Sequence, residues 1–339
     1  MLRVETWKHG WRWVYSVTYD EDVRSLLDHA LPLHRQHDMP GTVALAAELL
    51  ADGGQLRLSS RGSERERYLS VGEIRELQRH GWSIASAGPT RVQSSDTERA
   101  PTRGAPTQTS REALEQLVGA PVTVLTVSTI DHHHGILPQE VQTAGYLGVF
   151  TLEDRLNYNH VDEDFHALGR SALYTVEGVP LPARTYDPYW RLHQARDSEG
   201  WLVDSARVVT AEPEDSERDI TPALLGERFA KVAEVGDVWR ATPDEVIDYI
   251  LMRRAAHPRG YRATDAAITF SMEAPRIPER AQNRELTFTM DVPPAWQTPL
   301  VTSDGAPVTD VAALSEGRIR FTLPVHDGQQ MRISAADSA

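Results

Sequence analysis

The stretch Val17-Thr18-Tyr19-Asp20-Glu21-Asp22 sets three acids directly after an apolar run, and a helical pattern begins at once behind them. Carboxylates at the C-terminal end of a strand stand where α/β enzymes carry their chemistry. Such a group can accept a proton as a general base or bind a cation through oxygen. A second concentration of chemistry is Asp131-His132-His133-His134. Imidazoles supply metal ligands or acid/base pairs near neutral pH. On an extended backbone successive side chains diverge, so His132 and His134 share a face and His133 points away. A polar, His-rich loop is the alternative. A third pattern is His160-x-Asp162-x-Asp164-x-His166. Its period of two lines four ligands along one face if the segment is extended, and means nothing if it is a loop. His34 and His37 lie three apart on the first helix and are expected at solvent or at the helix end, where an imidazolium is favourable. No Gly-rich phosphate loop and no nucleophile elbow occurs.

The elements that must hold these residues alternate. Strand 13–18 leads into a helix over 22–37, with Pro32 as a kink or early stop. Strand 42–45, helix 71–80, strand 82–86, helix 110–118, strand 121–128, helix 138–144 and strand 146–151 follow. Alternation of this kind implies parallel pairing through crossover helices, hence a barrel or an open α/β sheet. Residues 88–109, rich in Pro, Ser, Thr and Arg, read as a long loop. From Glu153 to Ala206 the pattern is irregular and crowded with aromatics, among them Tyr189 and Trp190. These two, with Tyr19, Trp82 and Asp204, are the candidates for contact with substrate. Thr221-Pro222 opens a helix to 235, strand 238–240 follows, and Thr242-Pro243-Asp244-Glu245 launches a helix over 243–256. Beyond it, 268–272, 286–292, 319–325 and 331–334 read as strands with no helical period between them.

The chain has 339 residues and a formal net charge of -14. That charge argues against a nucleic-acid partner, since phosphate backbones are met by clustered Lys and Arg. No apolar run is long enough for a membrane span, and the first residues lack a secretory core, so a cytoplasmic protein is expected. The sequence contains no Cys, which excludes disulfides and thiolate metal sites. A small-molecule substrate is the expected partner.

Ser16-Val17-Thr18-Tyr19-Asp20-Glu21-Asp22 resembles the first motif, Ser-Leu-Thr-Phe-Asp-Asp-Gly, of the polysaccharide deacetylase family (NodB-homology, carbohydrate esterase). Met39-Pro40-Gly41-Thr42-Val43 is similar to that family's next strand, and Gly81-Trp82-Ser83-Ile84-Ala85-Ser86 to the approach to its second motif. Gly145-Tyr146 and Val238-Trp239-Arg240-Ala241-Thr242 resemble later pieces. The resemblance implies an α/β fold: a distorted (β/α) barrel of polysaccharide-deacetylase type over 1–258, with a small C-terminal antiparallel β unit over 259–339. It also implies that Asp20 is the general base and that Glu21 occupies a metal-ligand position. The family's two ligand histidines are replaced by Ala87 and Arg91. Ala87 has no lone pair to give, and Arg91 is a permanent cation that does not bind a metal. Ser128-Thr129-Ile130-Asp131 stands in place of a third motif, and the late acid His position falls on Ala206 or Arg207. Arg91 is expected to pair with Asp20 and Glu21.

The expected function is an enzyme repurposed for metal-independent acid/base chemistry on a small biosynthetic molecule. Asp20 is its base, and Glu21, Arg91, Asp131, His132 and His134 are the polar set around it. No cofactor is expected. One alternative is an amide or N-acetyl sugar deacetylase with a relocated divalent metal (Zn, Co or Ni) on Glu21, His132 and His134. The other is a non-catalytic saccharide-binding module.

Overall fold

One seven-residue run, Trp13–Tyr19, is buried along its whole length. Unbroken burial marks a parallel strand covered on both faces. The computed structural model describes residues 1–20, 23–47, 67–88, 105–127, 138–173, 189–212, 219–296, 298–315 and 317–335. These divide into two compact units, residues 13–244 and residues 1–12 with 245–339.

In the first unit Trp13–Tyr19 is β2, the strand after Leu2–Val4 (β1). On one side of it stand Thr42–Leu45 (β3), Ser83–Ser86 (β4), Val124–Thr126 (β5) and Gly148–Phe150 (β6). On the other stand Trp201–Ala206 (β8) and then Ser171–Ala172 (β7). All these pairs are parallel. Val208–Val209 (β9) pairs with Asp219–Ile220 (β10), and Val238–Arg240 (β11) pairs with residues 13–15 of β2. Residues 168–172 join the two edges of the large sheet. Leu168 bridges to Phe150 of β6, and Ser171 and Ala172 pair with β8. The result is a distorted parallel barrel, as the alternation of elements implied.

Helices follow from local chemistry. Pro32 has no N–H to give, and the chain there runs as a π turn (Leu26–Ala30) before the α-helix Leu31–Gln36 (α1). Leu31 N–H reaches back to Leu26 O across that turn. Val71–Arg79 (α2) starts on a capping box in which Ser70 and Glu73 satisfy each other's backbone. Ala105–Val118 (α3), Pro138–Thr143 (α4) and Trp190–Asp197 (α5) precede β5, β6 and β8. Pro222–Val235 (α6) is capped by Thr221, whose hydroxyl accepts from Leu224 N at 3.2 Å. No helix among the described residues is long and apolar enough to cross a membrane.

Side-chain alternation sorts the barrel into two faces. Trp13, Tyr15, Val17 and Tyr19 join the apolar layer under the helices, with Leu26, Leu31, Leu225 and Phe229. Val14, Ser16, Thr18 and Asp20 face the other way, into the barrel. Trp201 shares that interior: its indole stands edge-on to Phe150 at 5.5 Å, and its Nε1 donates to Ser16 Oγ at 3.0 Å.

The second unit is a pair of antiparallel sheets. Glu285–Asp291 (β14) pairs with β1 and with Arg318–Pro324 (β18), which pairs with Val311–Ser315 (β17). The other sheet runs His257–Ala263 (β12), Ala267–Glu273 (β13), Gln330–Ala335 (β19), Pro299–Ser303 (β15) and Ala306–Pro307 (β16). Phe288 stacks on Phe321 at 5.3 Å and lies 6.2 Å from Phe270, so the sheets meet through aromatic rings. The sequence placed the boundary at 258, whereas packing places it at 244. Helix Pro243–Ala255 (α7) is the reason: Asp248 accepts the backbone N–H groups of Gln282 and Asn283 at 2.8 Å each. The N-terminal residues join the same unit because β1 extends its sheet.

Trp201→Ala removes a fully buried indole and one hydrogen bond from the barrel interior. We expect a loss of about 3–5 kcal/mol in urea unfolding, against about 1 kcal/mol for Trp201→Phe. Equal losses in the two variants would contradict this assignment of the interior.

Candidate functional site

Asp20 ends β2 on its interior face, and its backbone N–H donates to Ala206 O at 3.0 Å. Its carboxylate is 3% exposed and meets Arg170, whose side chain is fully buried. Arg170 Nη1 donates to Asp20 Oδ1 at 2.5 Å and to Thr18 Oγ1 at 3.2 Å. Nη2 donates to Val127 O at 3.0 Å and Nε to Thr151 O at 3.2 Å. One guanidinium therefore touches the ends of β2, β5 and β6 from the closing segment 168–172. A permanent cation in that position needs a counter-charge, and Asp20 supplies it. Arg170 is held by its neighbours. Asn157 clamps Gly169 through both backbone groups, at 2.8 and 3.0 Å. A Cβ at Gly169 would lie 2.8 Å from the carbonyl oxygens of Glu153 and Arg155, so only glycine fits there.

The register puts Arg207 beside Asp20, one residue past the end of β8. Its guanidinium binds Asp219 in a bidentate fork at 2.9 and 2.8 Å. Of the two residues at which the resemblance implies an acid His, Ala206 has no titratable group and Arg207 is a cation with no proton to give near neutral pH. Ala87, at the first ligand position, donates its N–H to Leu45 O at 2.9 Å and offers no side-chain donor. Glu21, Arg91, Asp131, His132 and His134 lie outside the described residues. The resemblance implies a divalent metal, and the described rim does not fit one: Ala87 stands at the first ligand position and the described rim carries no imidazole. Among the described residues no cluster of three or more His, Asp or Glu could hold an ion.

Three of the expected substrate contacts belong instead to the layer between sheet and helices. Tyr19, Trp82 and Asp204 are buried there, turned away from the barrel interior by the period of two. Asp204 accepts from Tyr15 OH at 2.6 Å and from Arg228 of α6 at 2.7 and 3.1 Å. Burial first, and then the Asp204 charge, push the Tyr15 hydroxyl well above its usual range. Tyr19 stacks on Trp82 at 5.3 Å and bonds His34 Nε2 at 2.8 Å. Tyr189 and Trp190 begin α5, in the helix layer. Tyr189 OH donates to Glu227, and Trp190, 45% exposed, lies under the Arg191 guanidinium at 4.2 Å.

His34 also departs from expectation, being buried rather than at solvent. Its Nδ1 lies 2.8 Å from Met39 O, which can only accept. Nδ1 therefore carries the proton, and Nε2 accepts from Tyr19 OH. Gly41 makes room for this ring pair, since a Cβ there would lie 2.7 Å from the Trp82 indole and 2.9 Å from His34 Cε1. The pattern 160–166 does not form an extended ligand row. His160 stacks on Tyr158 at 5.2 Å, Asp164 accepts the His166 N–H at 2.8 Å, and Glu163 between them binds Arg155 and Tyr158 N. Arg170 and Arg228 were not singled out by sequence reasoning, and Arg207 was named only as one of two residues at the late acid position. The one signal for Arg170 was its place in Leu168-Gly169-Arg170-Ser171-Ala172, a short alternating run after a glycine.

No family model and no curated protein matches this chain. Among solved structures it is similar to a family 4 acetyl xylan esterase from Clostridium thermocellum in complex with a cobalt ion, at 12% identity and TM-score 0.41, over 69% of this chain and 89% of that one. It is similar to the Xyl-CE4 domain of a multidomain xylanase from the hindgut metagenome of Trinervitermes trinervoides, at 10% identity and TM-score 0.41, over 70% and 90%. It is also similar to the T48 deacetylase, at 12% identity and TM-score 0.38, over 69% and 90%. These likenesses concern the path of the chain and say nothing of what this protein acts on.

Burial holds the His34 imidazole down to about 3, against an ordinary value of 6.5. The folded state thus favours the neutral ring, while the unfolded chain protonates near 6.5. This contribution to stability is complete above that value and is lost as pH falls towards 3. Urea unfolding of the wild type should weaken between those limits by up to about 1.4 kcal/mol per pH unit more than that of His34→Gln. Parallel curves for the two proteins would contradict a buried neutral His34.

Proposed function

We propose that this chain is a deacetylase-like barrel enzyme that has left metal-dependent hydrolysis for acid/base chemistry on a small molecule, with Asp20 as its proton acceptor. The observation that carries the reading is the Asp20–Arg170 pair at the C-terminal end of the central barrel strand. Catalytic groups of barrel enzymes sit at that end. Arg170 fixes the carboxylate in one orientation, which removes the entropy of positioning a free side chain before reaction. In this reading Asp20 takes a proton from a C–H or O–H of the substrate at the barrel mouth.

Two sequence features support the loss of the hydrolytic route. Ala87 and Arg91 replace both imidazole ligands, and Ala206-Arg207 replaces the acid that would protonate a departing amine. A divalent ion, where bound, would polarise an amide carbonyl and activate water. Among the described residues no group of three or more His, Asp or Glu could hold such an ion.

Protein purified without chelator should contain far less than one equivalent of zinc, cobalt or nickel. It should release no acetate from chitooligosaccharides or acetylxylan, with or without those ions added. In cells deleted for this chain, wild type should restore the small-molecule profile, and Asp20→Asn, expressed at a level that matches the soluble wild type despite its lower stability, should not; an activity loss of about 100-fold or more is expected. A stoichiometric ion with ion-dependent acetate release would restore the deacetylase alternative. Full rescue by Asp20→Asn would leave a binding module.

A further inference from the structure

The second unit carries a cavity of about 400 Å³ on the outer face of the sheet formed by β1, β14, β18 and β17. Its floor is set by register. Arg3 pairs with Thr289, and Thr289 pairs with Arg320, so the two arginines flank one threonine on a single rung. Neighbours on either side of the rung, Phe288 and Met290, are buried and turn to the opposite face, as the period of two requires. Strands lie about 4.8 Å apart, so Arg3 and Arg320 start roughly 10 Å from each other at the backbone. Side chains of that length converge readily on one small ligand between them.

Charge in the cavity runs against that of the chain. The whole sequence carries -14, yet this cavity brings three guanidiniums, Arg3, Arg318 and Arg320, against two carboxylates, Glu5 and Asp291. The carboxylates are already engaged. Asp291 accepts from Arg318 at 2.8 Å and from the Met1 amino group at 2.7 Å, and Glu5 accepts from the Thr289 hydroxyl. Arg3 donates to Met1 Sδ at 3.8 Å, a weak acceptor. Neither Arg3 nor Arg320 forms an ion pair with a described residue. Arg320 is half-buried and lies against the turn Lys8–Gly10. Its Nη1 would be 3.0 Å from a Cβ on Gly10, so the glycine, at φ +66°, leaves the guanidinium its place. A half-buried cation without a counter-ion is costly, and an oxyanion ligand would offset that cost.

We propose that this cavity binds a small multivalent oxyanion, a phosphate monoester or a dicarboxylate, between the guanidiniums of Arg3 and Arg320. The planar fork of arginine matches both groups through paired, charge-assisted hydrogen bonds. Arg318 adds positive potential at the rim, and Thr289 with Glu5 sets a polar floor. This site lies wholly within the second unit and does not depend on the reading of Asp20.

Calorimetric titration of the full chain in low salt tests the assignment, with inorganic phosphate, glucose 6-phosphate and succinate as separate probes. We expect saturable binding of at least one probe, weakened by added sodium chloride. Arg320→Gln and Arg3→Gln should each weaken it roughly tenfold or more, the loss of one charge-assisted contact. Arg332→Gln, on the other sheet, should leave it unchanged. Preference for the phosphates over succinate would name a phosphoryl ligand, and the reverse a dicarboxylate. No saturable binding of any probe overturns the proposal, as does binding that folded Arg320→Gln and Arg3→Gln leave intact.

Discussion

One buried guanidinium ties together the strand ends at the mouth of the barrel. Arg170 reaches from the segment that joins the two sheet edges to the ends of β2, β5 and β6, and its charge is met by Asp20. A cation without solvent around it is tolerable only with a counter-ion and filled hydrogen-bond donors. Here the donors go to two backbone carbonyls, a threonine hydroxyl and a carboxylate. Backbone bonds of the closing segment join the same edges: Leu168 N–H donates to Val149 O at 2.9 Å and Leu173 N–H to Ser205 O at 2.8 Å. The pair is thus a structural clasp and, by its place at the C-terminal end of the central strand, the group around which a reaction would be organised.

Outside the sheet a second polar layer repeats the logic with different consequences. Asp204, Tyr15 and Arg228 satisfy one another in a buried cluster between β2, β8 and α6, and His34 joins Tyr19 to Met39 O. These groups carry the same residue types as an active site. Their orientation towards packed helices, with every partner on the protein, makes them a locking device between layers. The sheet separates polar residues by parity alone: Asp20 faces the barrel, while Asp204, beside Val17 in register, faces the helices.

Legibility in the sequence followed the strength of local signals. β3 and β11 match the expected bounds at both ends, each starting directly after a turn signal, Pro40-Gly41 and Gly236-Asp237. α6 was marked by Thr221-Pro222 and ends one residue before Gly236. By contrast β8 was hidden in a region that reads as irregular. Trp201–Ala206 is buried on both faces and so shows no alternation, and its Asp and Ser mask it as a loop. Helix α3 begins inside what reads as a long loop, and β7 has only two residues to show. Of the candidate site, Asp20 was legible because an acid ends an apolar strand. Arg170 was not, since it lies 150 positions away and only ring closure brings it near. Tyr19, Trp82 and Asp204 looked like pocket groups because residue type is visible in a sequence and the face it points to depends on register.

The central claim is that Asp20 and Arg170 depend on each other inside the barrel. A double-mutant cycle in urea unfolding, with Asp20→Asn, Arg170→Met and the pair together, measures that dependence directly. Removing either partner alone should cost about 3–5 kcal/mol, because the other charge is left buried, and the double variant should cost far less than the sum. Additive losses, or single variants as stable as the wild type, would contradict the account.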